Sequence, residues 1–185
     1  MPSISAHMAI AKKVSEQLNI CDSYFIKGNL LPDLYDNKQK SHYKIPGKKY
    51  MIPNIDEVIN KLDLKDKINL GYLTHLLLDK YYLEEYLTNI DFDVFKEENI
   101  YEDYDILNKD IIKKFNLDIN YIEECINDYP LNINNHKLEY NIECLNKNLE
   151  GNLKILDKET FFIFLDEASN KIVNDLLLIK EKWDN

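Results

Sequence analysis

The stretch that decides the fold is residues 65–88, KDKINLGYLTHLLLDKYYLEEYLT. Between Leu70 and Leu83 it is apolar almost all the way round a helical wheel, which is typical of a helix buried inside a protein. His75 and Asp79 interrupt this apolar run four residues apart, so a helix places them on one face, one turn from each other. The segment therefore predicts a central helix that carries two polar side chains into the core.

The buried carboxylate of Asp79 needs a partner, because an ionised group in an apolar interior is very costly without one. Arginine cannot be that partner, since all 23 basic residues of the chain are Lys. A Lys, a protonated His or a metal ion remains. A simple hydrogen bond between His75 and Asp79 would also account for the pair, and the spacing of two residues does not distinguish between these arrangements.

The rest of the chain also favours helices. Its 185 residues include only 4 Gly and 5 Pro, too few for the many tight turns of a β-sandwich of this length. Apolar residues at helical spacing predict further helices at residues 5–19, 21–31, 55–62, 91–116, 118–128, 136–149 and 157–182. Pro32 is expected to end the second of these helices and Pro130 the run 118–128.

Residues 33–54 show no steady period and predict a long loop, which is unusual in a small domain and often functional. We therefore expect an all-α fold: a single-domain multi-helix bundle around a buried central helix, spanning residues 1–185. Residues 1–90 would form the half that carries a metal site, and residues 91–185 would supply covering helices.

Charge and cysteine content limit the partners and the compartment. The net charge of −10 disfavours binding to nucleic acid and to anionic membrane surfaces. No signal peptide or run of 18 apolar residues is recognisable, so we expect no stable membrane anchoring. Cys21, Cys125 and Cys144 form no CxxC pair, which fits a reducing compartment and predicts a cytoplasmic protein.

Three more polar residues of the first half extend the pattern of His75 and Asp79. His7 lies in the predicted first helix, Asp33 follows the apolar run GNLLPD, and His42 lies in the long loop. Histidine and aspartate are common ligands of zinc, manganese and iron. The order H…D…H…HxxxD, spread over several helices, therefore predicts a metal site in a helical core.

Each of these residues also has a simpler explanation. His7 would fit as a hydrogen-bonded core histidine, Asp33 as the cap of a turn after Pro32, and His42 as a surface residue of the loop. His136 is the remaining histidine of the chain. We expect it on the surface, at the start of a helix.

Four segments in this order resemble the bacterial zinc-dependent phospholipase C family, in its smaller, non-secreted branch. They are SAHMAIAKKV with His7, GNLLPD with Asp33, SHY with His42, and GYLTHLLLDKYY with His75 and Asp79. The four segments lie within the first 90 residues of the 185-residue chain. The resemblance implies an all-α fold that holds zinc ions in a central cleft.

The resemblance also implies a role for each residue. One zinc would be held by His42, His75, Asp79 and Asp33. Asp79 would also reach a second ion bound by His7, and Asp33 would bridge to a third.

The chain departs from the secreted members of that family around the third ion. Glu85 stands ten residues after His75, where those members have another histidine. Their later HxxxE pair is absent here, because the residue four positions after His136 is Tyr140. The third site is therefore either missing or rebuilt from carboxylates such as Glu84 or Glu85.

Two functions follow from these predictions. The first is a metal-dependent phosphoester hydrolase with one to three zinc ions, or with manganese or iron. In it, Asp33 is the catalytic residue that orients the attacking water or bridges two ions, and the substrate is a small or zwitterionic phosphoester. The second is a non-catalytic helical domain with a residual structural metal site. A phosphohydrolase of the HD type would need an adjacent His-Asp pair, which the sequence lacks.

Overall fold

In the described part of the chain, regular structure is helical apart from one two-stranded hairpin. The structure, a computed structural model, describes residues 2–20, 22–90, 97–127 and 133–184. Its helices are α1 (Ile4–Leu18), α2 (Ser23–Leu34), α3 (Lys38–Ser41), α4 (Ile55–Lys61), α5 (Lys67–Tyr81), α6 (Glu97–Lys114), α7 (Ile119–Asn127), α8 (Asn135–Asn146) and α9 (Lys158–Asp184). The hairpin strands are β1 (Lys44–Pro46) and β2 (Met51–Pro53). The predicted all-α fold is confirmed, and none of the described helices combines the length and apolar character that a membrane span requires.

Helix α5 is the buried centre of the bundle, as the sequence predicts. Its side chains from Gly71 to Asp79 are all buried, and it packs against α1, α2, α4 and α9. The helix begins where the carboxylate of Asp66 accepts a hydrogen bond of 2.8 Å from the backbone N–H of Ile68, which satisfies one of the free donors of the first turn. An apolar sequence on every side thus places this helix inside the bundle.

The single helix predicted over residues 65–88 ends earlier than expected. After Tyr81 the chain forms a π-helical turn (Tyr82–Tyr86) and then a 3₁₀ turn (Leu87–Asn89). A π-helical turn is rare and frequently lies at a functional site. Here it follows directly on the segment that carries His75 and Asp79.

Helices α2 and α5 approach each other closely at two glycines. A Cβ atom on Gly28 would lie 1.9 Å from the carbonyl oxygen of Ile68, and one on Gly71 would lie 2.1 Å from the carbonyl oxygen of Phe25. Only residues without a side chain permit such contact between two main chains. The contact therefore fixes the distance between the polar side chains that the two helices carry.

Pro32 does not end α2, so that prediction was wrong. The helix runs through Pro32 to Leu34, although proline cannot donate a backbone hydrogen bond to the carbonyl of Gly28. Helix α2 is buried along most of its length, and we attribute its continuity to packing that outweighs the lost hydrogen bond. As a result, Asp33 lies in the last turn of a helix rather than in a loop.

Residues 33–54 are not the continuous loop that their lack of period predicts. They contain α3 and the antiparallel hairpin, in which Ile45 pairs with Ile52. The turn is closed by the N–H of Gly47, which donates to the carbonyl oxygen of Tyr50 at 2.9 Å. Elements of three or four residues are too short to show a period, which explains why the sequence pattern missed them.

The other helices match their predicted positions within a few residues at each end. Residues 91–96, where one helix was predicted to start, lie outside the described residues, as does Pro130. Cys21 also lies outside them, whereas Cys125 is buried in α7 and Cys144 is a free thiol.

A buried carboxylate holds the segment between α8 and α9 against α6. Asp103, which is fully buried, accepts three backbone hydrogen bonds of 2.7–2.8 Å from Lys154, Ile155 and Leu156. Hydrogen bonds to a carboxylate are among the stronger ones in proteins. They therefore fix the position of α6 relative to the end of the chain.

Replacing Gly71 by Ala is expected to lower the free energy of unfolding by about 1–3 kcal/mol, because the added Cβ collides with the main chain of α2. The higher helix propensity of Ala acts in the opposite direction by about 1 kcal/mol, so a net loss reports the collision. Urea unfolding followed by circular dichroism measures the change. Gly151→Ala is the control, since its Cβ would meet only the side chain of Ile106, at 3.1 Å. A Gly71→Ala protein as stable as this control would contradict the close approach of the helices.

Candidate metal centre

Five polar side chains from separate parts of the chain meet in the core. His7 comes from α1, Asp33 from α2, His42 from the residue after α3, and His75 and Asp79 from α5. Four of these side chains are at most 1% exposed, whereas that of Asp33 is 16% exposed. The structure thus brings together all five residues that the sequence predicts as metal ligands.

His42 is held in place through its neighbour Ser41. The hydroxyl of Ser41 donates to the carbonyl oxygen of Pro32 at 2.8 Å, which ties α3 to α2. The hydroxyl of Tyr72 in α5 donates to the carbonyl oxygen of Ser41. The short helix α3 is therefore anchored to both long helices, and the imidazole that follows it is fully buried.

The nitrogen and oxygen atoms that face each other in the cluster are too far apart for good hydrogen bonds. The Nε2 atom of His42 lies 3.4 Å from Oδ2 of Asp79 and 3.6 Å from Oδ1 of Asp33. The Nε2 atom of His75 lies 3.7 Å from Oδ2 of Asp79 and 3.9 Å from Oδ2 of Asp33. Ligand atoms about 2.0–2.2 Å from a tetrahedral ion lie roughly 3.3–3.6 Å from one another. The observed separations are therefore close to those around a shared cation.

The other oxygen of Asp79 faces His7, whose Nε2 atom lies 3.5 Å from Oδ1. The ring of His7 stacks on that of His75, with centroids 3.7 Å apart. His7, His75 and Asp79 thus form one group of potential ligands, and Asp33, His42 and His75 form a second group. Because Asp79 directs a different oxygen to each side, it is placed as a carboxylate that could bridge two ions.

Hydrogen bonds to the main chain orient two of the imidazoles. The Nδ1 atom of His75 lies 2.7 Å from the carbonyl oxygen of Asn29, and that of His42 lies 3.0 Å from the carbonyl oxygen of Lys38. A carbonyl oxygen only accepts, so we assign the proton to Nδ1 in both rings. Each Nε2 atom then directs its lone pair into the cluster, which is the orientation of metal-binding histidines.

Burial lowers the pKa of each imidazole, His7, His42 and His75, from 6.5 to about 4. The three rings are therefore neutral at neutral pH and do not balance the charge of the carboxylates. Burial would raise the pKa of Asp33, but the neighbouring His75 and Lys38 outweigh it and hold that pKa below its usual value. The Nζ atom of Lys38 lies 2.9 Å from Oδ1 of Asp33 and supplies a cation there.

The centre of the cluster presents polar atoms without partners. The Nε2 atoms of the three histidines and both carboxylate oxygens of Asp79 are buried and make no hydrogen bond within the part of the chain that the structure describes. Each unpaired buried polar group costs about 1–3 kcal/mol, and more when it is charged. A divalent cation would satisfy these atoms together, and zinc, manganese and iron all accept imidazole and carboxylate ligands. The residues present therefore fit the metal that the sequence resemblance implies.

The carboxylates suggested for a third ion lie elsewhere. Glu84 and Glu85 are exposed on the π-helical turn, and Glu85 forms an ion pair with Lys171. Among the described residues, only the two overlapping groups have at least three His, Cys, Asp or Glu side chains close enough to hold an ion. His136 is 95% exposed at the start of α8, in agreement with its predicted surface position.

A cleft of about 300 Å³ adjoins the cluster, and Asp33 lies in its wall. The other walls come from the start of α1 and from α3, α6 and α8. They include three lysines, namely Lys38, Lys137 and Lys147. Sequence reasoning missed these residues, because they come from separate helices and no local spacing connects them.

Comparison with known proteins assigns no family. No family model matches the chain, and no curated protein or solved structure matches it either. The resemblance to the zinc-dependent phospholipase C family therefore stays a prediction that rests on four sequence segments.

His75→Ala is expected to abolish metal binding, because His75 belongs to both groups of potential ligands. The loss of zinc affinity should exceed the roughly 10–100-fold that removal of a ligand's hydrogen-bond partner costs. Elemental mass spectrometry of the protein purified without an affinity tag measures the metal content. His136→Ala is the control and should keep the wild-type content, since that imidazole is exposed. A His75→Ala protein with a full complement of metal would contradict the assignment of the site.

Zinc is expected to raise the thermal midpoint of the metal-free protein. A hundredfold excess of free zinc over its dissociation constant contributes about 2.7 kcal/mol, which corresponds to roughly 5–10 °C for a chain of this size. Differential scanning calorimetry measures the shift. Calcium, which prefers shells of oxygen ligands, should leave the midpoint unchanged. An equal response to both ions would show that binding occurs outside the histidine cluster.

Proposed function

We propose that the protein is a metal-dependent phosphoester hydrolase centred on His7, Asp33, His42, His75 and Asp79. Zinc is the proposed metal, and manganese or iron would suit the same ligands. The observation that supports this function most strongly is the exposure of Asp33, which keeps 16% of its side chain accessible in the wall of the cleft. Structural zinc sites are closed by four protein ligands, whereas catalytic sites keep one side open to water and substrate.

The proposed roles follow from the burial of each group. When bound, zinc supplies a Lewis acid that lowers the pKa of water toward about 7 and polarises a phosphoryl oxygen. His42, His75, Asp79 and Asp33 would hold the metal, with Asp33 on the side of the cluster that borders the cleft. The second carboxylate oxygen of Asp33 would accept a hydrogen bond from the attacking water, which orients the water toward phosphorus. Because its pKa lies below the usual value, orientation rather than proton transfer is its proposed contribution.

Small phosphoesters are the proposed substrates. A cleft of about 300 Å³ is at the lower end of the size range of small-molecule sites. The net charge of −10 disfavours nucleic acids and anionic membrane surfaces as partners. The free thiol of Cys144 supports a reducing compartment, and the cytoplasm is our proposal for it.

Asp33→Asn is expected to lower kcat by about a hundredfold or more, because the amide accepts a hydrogen bond from water less strongly than a carboxylate does. The zinc-reconstituted protein is assayed with p-nitrophenyl phosphate and bis(p-nitrophenyl) phosphate, and its zinc content is measured in parallel. Asp56→Asn, in the exposed first turn of α4, is the control and should retain full activity. Unchanged turnover by Asp33→Asn would contradict the proposed role.

The alternative of a structural metal site is supported by the nearly complete burial of His7, His42, His75 and Asp79. The same assay distinguishes the two functions. Metal bound in stoichiometric amounts without turnover of either phosphoester would favour the structural role. Turnover that disappears on chelation and returns with zinc would favour the hydrolase.

A further inference from the structure

The cleft beside the cluster concentrates positive charge in an acidic protein. The chain has 33 acidic and 23 basic residues, yet the cleft wall contains Lys38, Lys137 and Lys147 against two carboxylates, Asp33 and Asp105. Because the chain contains no arginine, lysine is the residue through which it can attract an anion by charge. The cleft therefore has the charge of an anion-binding site.

The three lysines differ in their partners. Lys147 forms an ion pair of 3.0 Å with Asp105, and Lys38 forms one of 2.9 Å with Asp33. Lys137 donates to the carbonyl oxygen of Tyr35 rather than to a carboxylate. Only the Lys147 pair is independent of the proposed metal, because Asp33 belongs to the ligand cluster.

A metal ion bound by Asp33 would compete with Lys38 for the same carboxylate. Lys38 would then lie in the cleft without its carboxylate partner, and Lys137 likewise pairs with no carboxylate of the described residues. We infer that the cleft binds the dianionic phosphate of a small phosphomonoester, with Lys38 and Lys137 as its cationic partners. In the metal-free protein, Lys38 takes the place of the cation beside Asp33.

This inference rests on the proposed function and narrows its substrate class. A phosphomonoester carries a charge of about −1.5 to −2 at neutral pH, which two lysines match. A phosphodiester carries a single negative charge, and a zwitterionic one has none overall. The size of the cleft, about 300 Å³, further favours a small molecule over a polymer or a lipid with two acyl chains.

Binding of inorganic phosphate and of dimethyl phosphate to the zinc-loaded protein tests whether the cleft prefers a dianionic phosphate to a singly charged one. Isothermal titration calorimetry is expected to give at least about tenfold tighter binding of inorganic phosphate, which corresponds to roughly 1.4 kcal/mol. Lys137→Gln should weaken the binding of phosphate about tenfold, by loss of a hydrogen bond between charged groups. Lys109→Gln is the control, since Lys109 is an exposed residue of α6 outside the cleft lining. Equal affinity for the two anions would overturn the inference.

Lys38→Gln distinguishes a specific role from a general effect of positive charge. Loss of the Lys38 ammonium group should tighten zinc binding at least threefold, because this group no longer competes with zinc for Asp33. The same change should weaken the binding of phosphate about tenfold. Competition with a chromophoric chelator measures zinc affinity, and circular dichroism verifies that each variant is folded. Weaker zinc binding, or unchanged affinity for phosphate, would overturn the role of Lys38.

The outcomes separate this inference from the function on which it rests. A protein that binds zinc and hydrolyses only bis(p-nitrophenyl) phosphate would keep the proposed function and overturn the preference for monoesters. A protein that binds no metal would overturn both. Tight binding of inorganic phosphate that depends on Lys38 and Lys137, without any turnover, would keep the anion site and overturn the hydrolase.

Discussion

The buried carboxylate of Asp79 is the constraint on which the rest of the structure depends. It lies in the last turn of the central helix α5, and its neighbours in the cluster are imidazoles whose pKa burial has lowered. In the described part of the chain, the basic groups nearest to it are the neutral imidazoles of His7, His42 and His75, at 3.4–3.7 Å. An uncompensated charge in such a place costs several kcal/mol, a large fraction of the roughly 5–15 kcal/mol that stabilises a domain. A cation held by Asp79 and the imidazoles would neutralise the buried carboxylate, and the stabilisation gained in this way would favour binding of the cation.

The fold holds the cluster mainly through contacts of the main chain. The glycines of α2 and α5 allow their main chains to touch, so the polar residues of the two helices cannot move apart without opening the core. Carbonyl oxygens of Asn29 and Lys38 fix the rings of His75 and His42. Because these groups are part of the helices themselves, the rings are already oriented before any ion binds, and such preorganisation lowers the cost of binding.

The five ligand candidates could be predicted because their residue types, His and Asp, and their order along the chain are visible in the sequence. His75 and Asp79 interrupt an apolar run, and such an interruption is visible without knowledge of the fold. The existence and burial of the central helix were predicted for the same reason, since its apolar residues surround it on every side, but its end at Tyr81 was not. The continuation of α2 through Pro32 was not predictable from local rules, because it depends on packing against α5. The hairpin within residues 33–54 was missed because its strands are only three residues long.

Sequence patterns do not reveal which residues from distant parts of the chain line the cleft. Lys38 and Lys137 lie 99 positions apart in the sequence, and only the packing of both α3 and α8 against α2 brings them into the wall of one cleft. The second half of the chain, expected only to cover the core, thus contributes a wall of the cleft beside the metal-ligand candidates. The proposed enzyme would combine two parts: a rigid ligand cluster from the first half, and an anion-binding wall completed by α6 and α8.

The most direct test of a cation at Asp79 is anomalous X-ray diffraction from crystals of the protein purified without an affinity tag or added metal. Data collected on both sides of the zinc, iron and manganese absorption edges identify the element and its position together. We expect an anomalous peak within about 2.0–2.2 Å of the Nε2 atoms of His42 and His75 and of a carboxylate oxygen of Asp79. A second peak between His7 and the other oxygen of Asp79 would show that this carboxylate bridges two ions. A map with no anomalous peak at the cluster, from crystals soaked in zinc as well, would contradict the account.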